Sequence, residues 1–319
     1  MTVVLALFCL SVTPCRAIVF YGTGDSTHNT TAPTGIFQDS GWQYEGFYGS
    51  YLGTMIAPQY FITAQHFGTQ GNTFTQSSIF NGGSDVTYNI DTTANSGTGY
   101  WDIAGTDLRI FKINEFFSTY APLYTGASEV GLTLVTNGRG GPRGADVLVS
   151  GVLHGWQNGA ADGTARWGSN KVSSIYSSAV GDLITANFSA NGTAEEATLS
   201  SGDSGGGVFV NDGGIWKLAG VNYSIDGRFD TNSTVGDGSD FDAALFDRGG
   251  LYQGSDSFGW SFVPNLPQDN PASFYASRIS SSSAAIMSIA VVPEPHSAFL
   301  VLLAAVGYVT QRRRIKQQL

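Results

Sequence analysis

Three short stretches carry residue types that can cooperate in nucleophilic chemistry: Thr63-Ala64-Gln65-His66, Asp107-Leu108-Arg109-Ile110 and Gly202-Asp203-Ser204-Gly205-Gly206-Gly207. A serine hydroxyl is a poor nucleophile at neutral pH. It needs an imidazole to take its proton, and the imidazole needs a carboxylate to fix its tautomer and stabilise the imidazolium. His66, Asp107 and Ser204 supply those three types. The glycines have a separate use: Gly202 and Gly205 allow a tight turn around Ser204, so that the N–H groups of Gly202 and Ser204 can point at a developing oxyanion.

The residues must be held by strands. His66 follows Tyr60-Phe61-Ile62-Thr63-Ala64, an apolar strand-like run, and Asp107 opens Asp-Leu-Arg-Ile-Phe-Lys-Ile, so its carboxylate heads a β-rich segment. Asp102, after Trp101, has no such strand directly behind it and reads as a loop acid. His28 and His154 lack a comparable context and read as surface or packing histidines. The run Gly202 to Gly206 also satisfies the Gly-x-Ser-x-Gly elbow of α/β-hydrolases, whose acid and histidine follow the serine. Only His296 follows Ser204, at the edge of an apolar C-terminal run, so that reading fails on chain order.

The order His, Asp, Ser and the Gly-Asp-Ser-Gly-Gly run resemble the trypsin-like (chymotrypsin-type) serine proteases. Thr63 to Phe67 resembles that family's Thr-Ala-Ala-His-Cys, with Gln65 and Phe67 as departures, and the 41 positions from His66 to Asp107 are similar to the family's spacing. The resemblance spans roughly 18–264 and implies an all-β fold of two antiparallel six-stranded β-barrels, about 18–125 and 126–264, with the active site in the cleft between them. It implies Ser204 as nucleophile, His66 as base, Asp107 as orienting acid, the Gly202 and Ser204 amides as oxyanion hole, and a protein or peptide substrate. It also places Thr198, six positions before Ser204, where trypsin itself has the acid that selects Lys or Arg. Tyr223 and Ser224 fall in Gly220 to Ser224, which resembles the pocket-lining strand. Without a carboxylate at 198, specificity for basic side chains is not expected, although Glu195 and Glu196 lie nearby. In the family a freed Ile-Val N-terminus pairs with the acid before the nucleophile. Here these would be Ile18-Val19 and Asp203, with Phe20-Tyr21 in place of the usual Gly-Gly.

Length and composition agree with one large β domain. The chain has 319 residues, 42 of them glycine, short β-branched and aromatic runs, and no sustained helical period. Of 15 basic residues, Arg16, Arg312, Arg313, Arg314 and Lys316 lie in the two ends; of 25 acids only Glu294 does. The body keeps 10 and 24, a net charge of −14, which repels phosphates and excludes a nucleic-acid partner. Asp226, Asp230, Asp237, Asp240 and Asp242 form an oxygen-rich loop that could hold structural calcium, but the spacing lacks an EF-hand's closing Glu and a solvated loop is preferred. No other metal and no cofactor is expected.

The ends read as addresses. Val3 to Leu10 is a short apolar run with cleavage expected near Ala17, so 1–17 reads as a signal peptide, though no basic residue precedes the run. Both cysteines, Cys9 and Cys15, would leave with it, so the mature domain is expected to have no disulfide, which points to a bacterial protein. Pro267, Pro271 and Ser280 to Ser283 make 265–291 read as a linker with little structure. In 292–319, Val292-Pro293-Glu294-Pro295, the apolar run Ala298 to Val309 and the basic cluster from Arg312 resemble the PEP-CTERM sorting signal of Gram-negative bacteria. That resemblance implies transient anchoring in a membrane, processing by an exosortase-type enzyme, and residence in the cell envelope or extracellular matrix. The reading is an exported serine endopeptidase. Its alternative is a catalytically silent or zymogen-like surface or matrix protein that uses a protease fold to bind.

Overall fold

The computed structural model describes residues 18–290. The expected signal peptide, both cysteines and the expected 292–319 sorting segment lie outside the described residues. Among these no helix is long and apolar enough to cross a membrane.

The protein is mostly β and is organised on two seven-stranded antiparallel sheets. The first runs in the order Val86–Asn89, Thr73–Gln76, Glu45–Tyr48, Tyr51–Ala57, Tyr60–Ala64, Leu108–Lys112 and Tyr100–Asp102. The second runs Arg166–Lys171, Thr133–Gly138, Gly207–Asp212, Ile215–Ile225, Ser273–Arg278, Gly181–Asn187 and Ser174–Ser178. Each sheet thus has one strand more than the expected six. In the second, the extra member comes from the stretch that composition assigns to a linker.

Strand alternation explains why these segments are apolar on both sides. In Tyr60–Ala64, Ile62 faces a core shared with Val135, Phe209, Leu218 and Val221 of the second sheet. Its neighbour Phe61 turns the other way, stacking on Phe74 and Phe111 at ring-centroid distances of 4.4 and 5.0 Å. Each such fully buried side chain contributes about 1.5–3 kcal/mol of transfer free energy. The shared core joins the two sheets, and every residue of the site hangs on their junction.

The 265–291 linker expectation is corrected for most of its length. Ser273–Arg278 lies inside the second sheet, paired to both Ile215–Ile225 and Gly181–Asn187, with Phe274 and Ala276 fully buried. Ser283–Ala290 follows as a helix that seats Ile286 and Ala290 in the shared core. The serines between them are structural: Ser280 Oγ donates to Glu129 Oε1 at 2.6 Å, beside the buried Glu129–Arg278 ion pair at 2.7 Å. The folded body therefore continues through Ala290, well beyond residue 264.

Candidate active site

The pairing of Tyr60–Ala64 with Leu108–Lys112 sets Ala64 opposite Leu108, so His66 and Asp107 sit at the same end of adjacent strands. The Gln65 N–H donates to the Asp107 carbonyl at 2.7 Å and closes the ladder there. Asp107 Oδ1 accepts the His66 backbone N–H at 2.8 Å and Oδ2 meets His66 Nδ1 at 2.7 Å. With Nδ1–H committed to that carboxylate, Nε2 is left as an acceptor, and Ser204 Oγ lies 2.9 Å from it. Asp107 is buried, whereas the imidazole is about 37% exposed, so the basic nitrogen faces solvent and its orienting acid does not. Asp102 is elsewhere, clamped bidentately by Arg109 at 2.6 and 3.0 Å.

Ser204 is carried on the loop that enters Gly207–Asp212. Gly205 has φ +84°, and a Cβ there would come within 2.4 Å of Thr63 Oγ1 and 2.5 Å of the Leu52 carbonyl. Only glycine lets this loop press against the strand that bears His66. Gly202 has φ +100° on the other side of the nucleophile. The N–H groups of Asp203, Gly205, Gly206 and Gly207 donate to Ser200 O, Asn222 O, Asp203 O and Glu45 Oε1. Among the described residues, those of Gly202 and Ser204 donate to no protein acceptor, which leaves two adjacent donors beside Oγ.

Asp203 points away from solvent. Its carboxylate accepts from Gly140 N at 2.6 Å, Ser200 N at 2.7 Å, Ser200 Oγ at 3.1 Å and the Ile18 backbone N–H. Burial, only partly offset by these neutral donors, pushes its pKa up to about 6. Ile18 is itself buried and has φ +51°, a left-handed conformation that β-branched residues rarely adopt.

A cavity of about 250 Å³ opens beside Ser204, lined by Leu199, Ser200, Ser201, Gly202, Tyr223, Ser224 and Ile225. Tyr223 and Ser224 are part of this lining, and the Tyr223 ring meets the His66 imidazole edge-on at 5.7 Å. Thr198 is not in the wall: it pairs with Val19 in the two-stranded sheet Val19–Phe20 with Ala197–Thr198, and Leu199 lines the cavity instead. Glu195 and Glu196 are engaged elsewhere, the first with His28 at 2.6 Å and the second with Ser189 and Thr193. Among the described residues no charged side chain lines the cavity.

The acidic loop is engaged internally. Ser239 Oγ donates to both oxygens of the buried Asp230, Tyr275 donates to Asp226, and Arg228 pairs with Asp240. Among the described residues no three or more His, Cys, Asp or Glu side chains converge as metal ligands. Two features were invisible in the sequence: the left-handed backbone at Ile18 and a buried carboxyl, Glu45, behind the nucleophile loop.

No curated protein matches the chain. A sequence model of the family described as Trypsin matches residues 37–236, a span that contains His66, Asp107 and Ser204 together with both strands that position the first two. That match covers more than half of the 319 residues, and the chain belongs to the trypsin family of serine peptidases.

Proposed function

We propose that this chain is an exported serine endopeptidase. The observation that carries the reading is the unbroken line Asp107, His66, Ser204, at 2.7 and 2.9 Å, ending beside two amide donors without a protein acceptor. In this reading Ser204 Oγ attacks the peptide carbonyl while His66 Nε2 takes its proton. The Gly202 and Ser204 N–H groups hold the oxyanion, His66 then protonates the leaving amine, and water activated through His66 hydrolyses the acyl-enzyme. Each oxyanion donor in such a site is worth roughly 10²–10³ in rate. The uncharged cavity wall favours a neutral side chain at the residue before the scissile bond. The two sheets would each be one of the family's barrels, with the site in the cleft between them.

Activation would follow cleavage before Ile18. A left-handed Ile costs roughly 1–2 kcal/mol because its Cβ crowds the neighbouring carbonyl groups. Part of this constraint disappears when Ile18 is the first residue, and its new ammonium would lie where the backbone N–H already meets Asp203. The terminal segments are read as an export signal and a PEP-CTERM-type sorting segment. Retention of the chain in the envelope fraction of cells lacking an exosortase-type enzyme, with release in cells that have one, tests that assignment. The activity is tested by incubating the processed protein with a mixed peptide library. Cleavage after neutral residues, absent in Ser204→Ala, is expected; equal cleavage by the variant refutes the assignment.

A further inference from the structure

The nucleophile loop rests on a buried acid that the proposed reaction does not use. Glu45, on the strand Glu45–Tyr48 of the first sheet, is fully buried, and its Oε1 accepts three hydrogen bonds. They come from Thr54 Oγ1 at 3.1 Å on the neighbouring strand, Asn137 Nδ2 at 3.3 Å and the Gly207 N–H at 3.0 Å, the last two on the second sheet. Gly207 has no side chain in the way; a Cβ there would lie 2.6 Å from that oxygen. The other carboxyl oxygen, Oε2, is buried without a partner, and so is Asn137 Oδ1.

These two orphans belong to groups already joined by one hydrogen bond. As a carboxylate, Glu45 has only acceptors to offer, and neither Oε2 nor Asn137 Oδ1 can then donate to the other. A proton on Oε2 turns the same pair into a carboxylic acid and an amide that can bond reciprocally, Nδ2–H to Oε1 and Oε2–H to Oδ1. A buried acceptor left without a partner is costly, and a proton on Oε2 lowers that cost. From Asn137 the network continues to the nucleophile: its backbone carbonyl accepts Asn222 Nδ2 at 2.7 Å. The same Nδ2 reaches the Asp203 carbonyl at 3.1 Å, and the Asn222 carbonyl accepts the Gly205 N–H at 3.0 Å.

We propose that Glu45 is a positioning residue that works as a neutral acid, bridging the two sheets through Thr54, Asn137 and Gly207 so that the segment around Ser204 stays aligned with His66. This rests on the reading of Ser204 as the nucleophile. The groups facing the carboxyl from all three neighbouring strands, Thr54, Asn137 and Gly207, are uncharged and do not titrate. Arg139, two residues beyond Asn137, turns to the carbonyls of Gly49 and Gly163, and Asp203 is linked only through Asn222 and Asn137. Tyr44 stacks on Phe209. With no cation to hold an anion, burial raises the Glu45 pKa to about 8.

The test uses the processed protein, beginning at Ile18, as wild type, Glu45→Gln and Glu45→Ala. Infrared difference spectra between wild type and Glu45→Gln should contain a protonated carboxyl band at pH 7 that titrates away near pH 8; its absence at pH 7 overturns the neutral acid. Rates of fluorophosphonate labelling at Ser204 are then followed from pH 6.5 to 9.5. Glu45→Gln, which keeps an acceptor and a donor, should match wild type at pH 7. It should exceed wild type about tenfold at pH 9, where a group titrating near 8 is about one-tenth neutral. Glu45→Ala should label slowly throughout. Parallel profiles for wild type and Glu45→Gln overturn the positioning role. The carboxyl band without labelling of any form at any pH overturns the serine-peptidase reading and the positioning role with it, while the neutral acid stands.

Discussion

The pairing of Ile18 with Asp203 can be tested by changing one acetyl group. Two proteins covering residues 18–290 are compared, one with a free α-amine at Ile18 and one with that amine acetylated. In the acetylated form Asp203 meets only neutral donors, and its folded pKa of about 6 stands above its ordinary 3.8. A raised folded pKa means stability fully present below pH 3.8 and lost as pH rises through about 6. Two units at about 1.4 kcal/mol each remove about 3 kcal/mol by pH 7.5. The left-handed Ile18, whose φ is defined only when a carbonyl precedes it, adds roughly 1–2 kcal/mol. The free ammonium cancels the first cost and sheds part of the second, so the free-amine protein should be more stable by about 3–5 kcal/mol at pH 7.5. For a domain of this size that is roughly 10 °C in Tm. At pH 4, where the acetylated protein holds Asp203 neutral, the gap should shrink to the backbone share. Thermal unfolding by circular dichroism at the two pH values reads both numbers. Equal Tm values at pH 7.5, or a gap of the same size at pH 4, would refute the pairing.

Replacing Asp107 by Asn should slow fluorophosphonate labelling by roughly 10³–10⁴, because the amide leaves the imidazole in the wrong tautomer. The same change at Asp102, which only clamps Arg109, should alter labelling less than about threefold. Gly205→Ala places a methyl against the Leu52 carbonyl in a backbone closed to it; a loss of about 2–5 kcal/mol in denaturant unfolding is expected. Ending the chain at Pro264 removes an interior strand and two buried helix residues, so that protein should fail to fold by near-ultraviolet circular dichroism, whereas one ending at Ala290 should fold.

The site was legible where chemistry dictates residue type and order. His66 and Asp107 could be matched because an apolar strand ends just before one and begins just after the other, and the antiparallel register brings those ends together. Asp107 could be told from Asp102 by the same criterion. Position along the chain did not say which way a side chain turns: Thr198 has the right count from Ser204, yet its strand pairs with Val19 and the wall begins one residue later. The C-terminal strand was hidden by composition, since Ser-Phe-Tyr-Ala-Ser-Arg alternates only over its first four residues and sits between prolines and a serine run that both speak for a linker. Glu45 gave no signal, because a single acid at the head of a short strand reads as surface. Its burial follows from the meeting of two sheets that are far apart in sequence.

The central claim is an activated Ser204. The most direct measurement is labelling of the processed protein with a fluorophosphonate, followed by peptide mapping of the adduct, beside Ser204→Ala and His66→Ala. The account predicts one adduct per chain, on Ser204, lost in the first variant and slowed at least a thousandfold in the second. A folded protein that takes no label, or takes it on another residue, would contradict it.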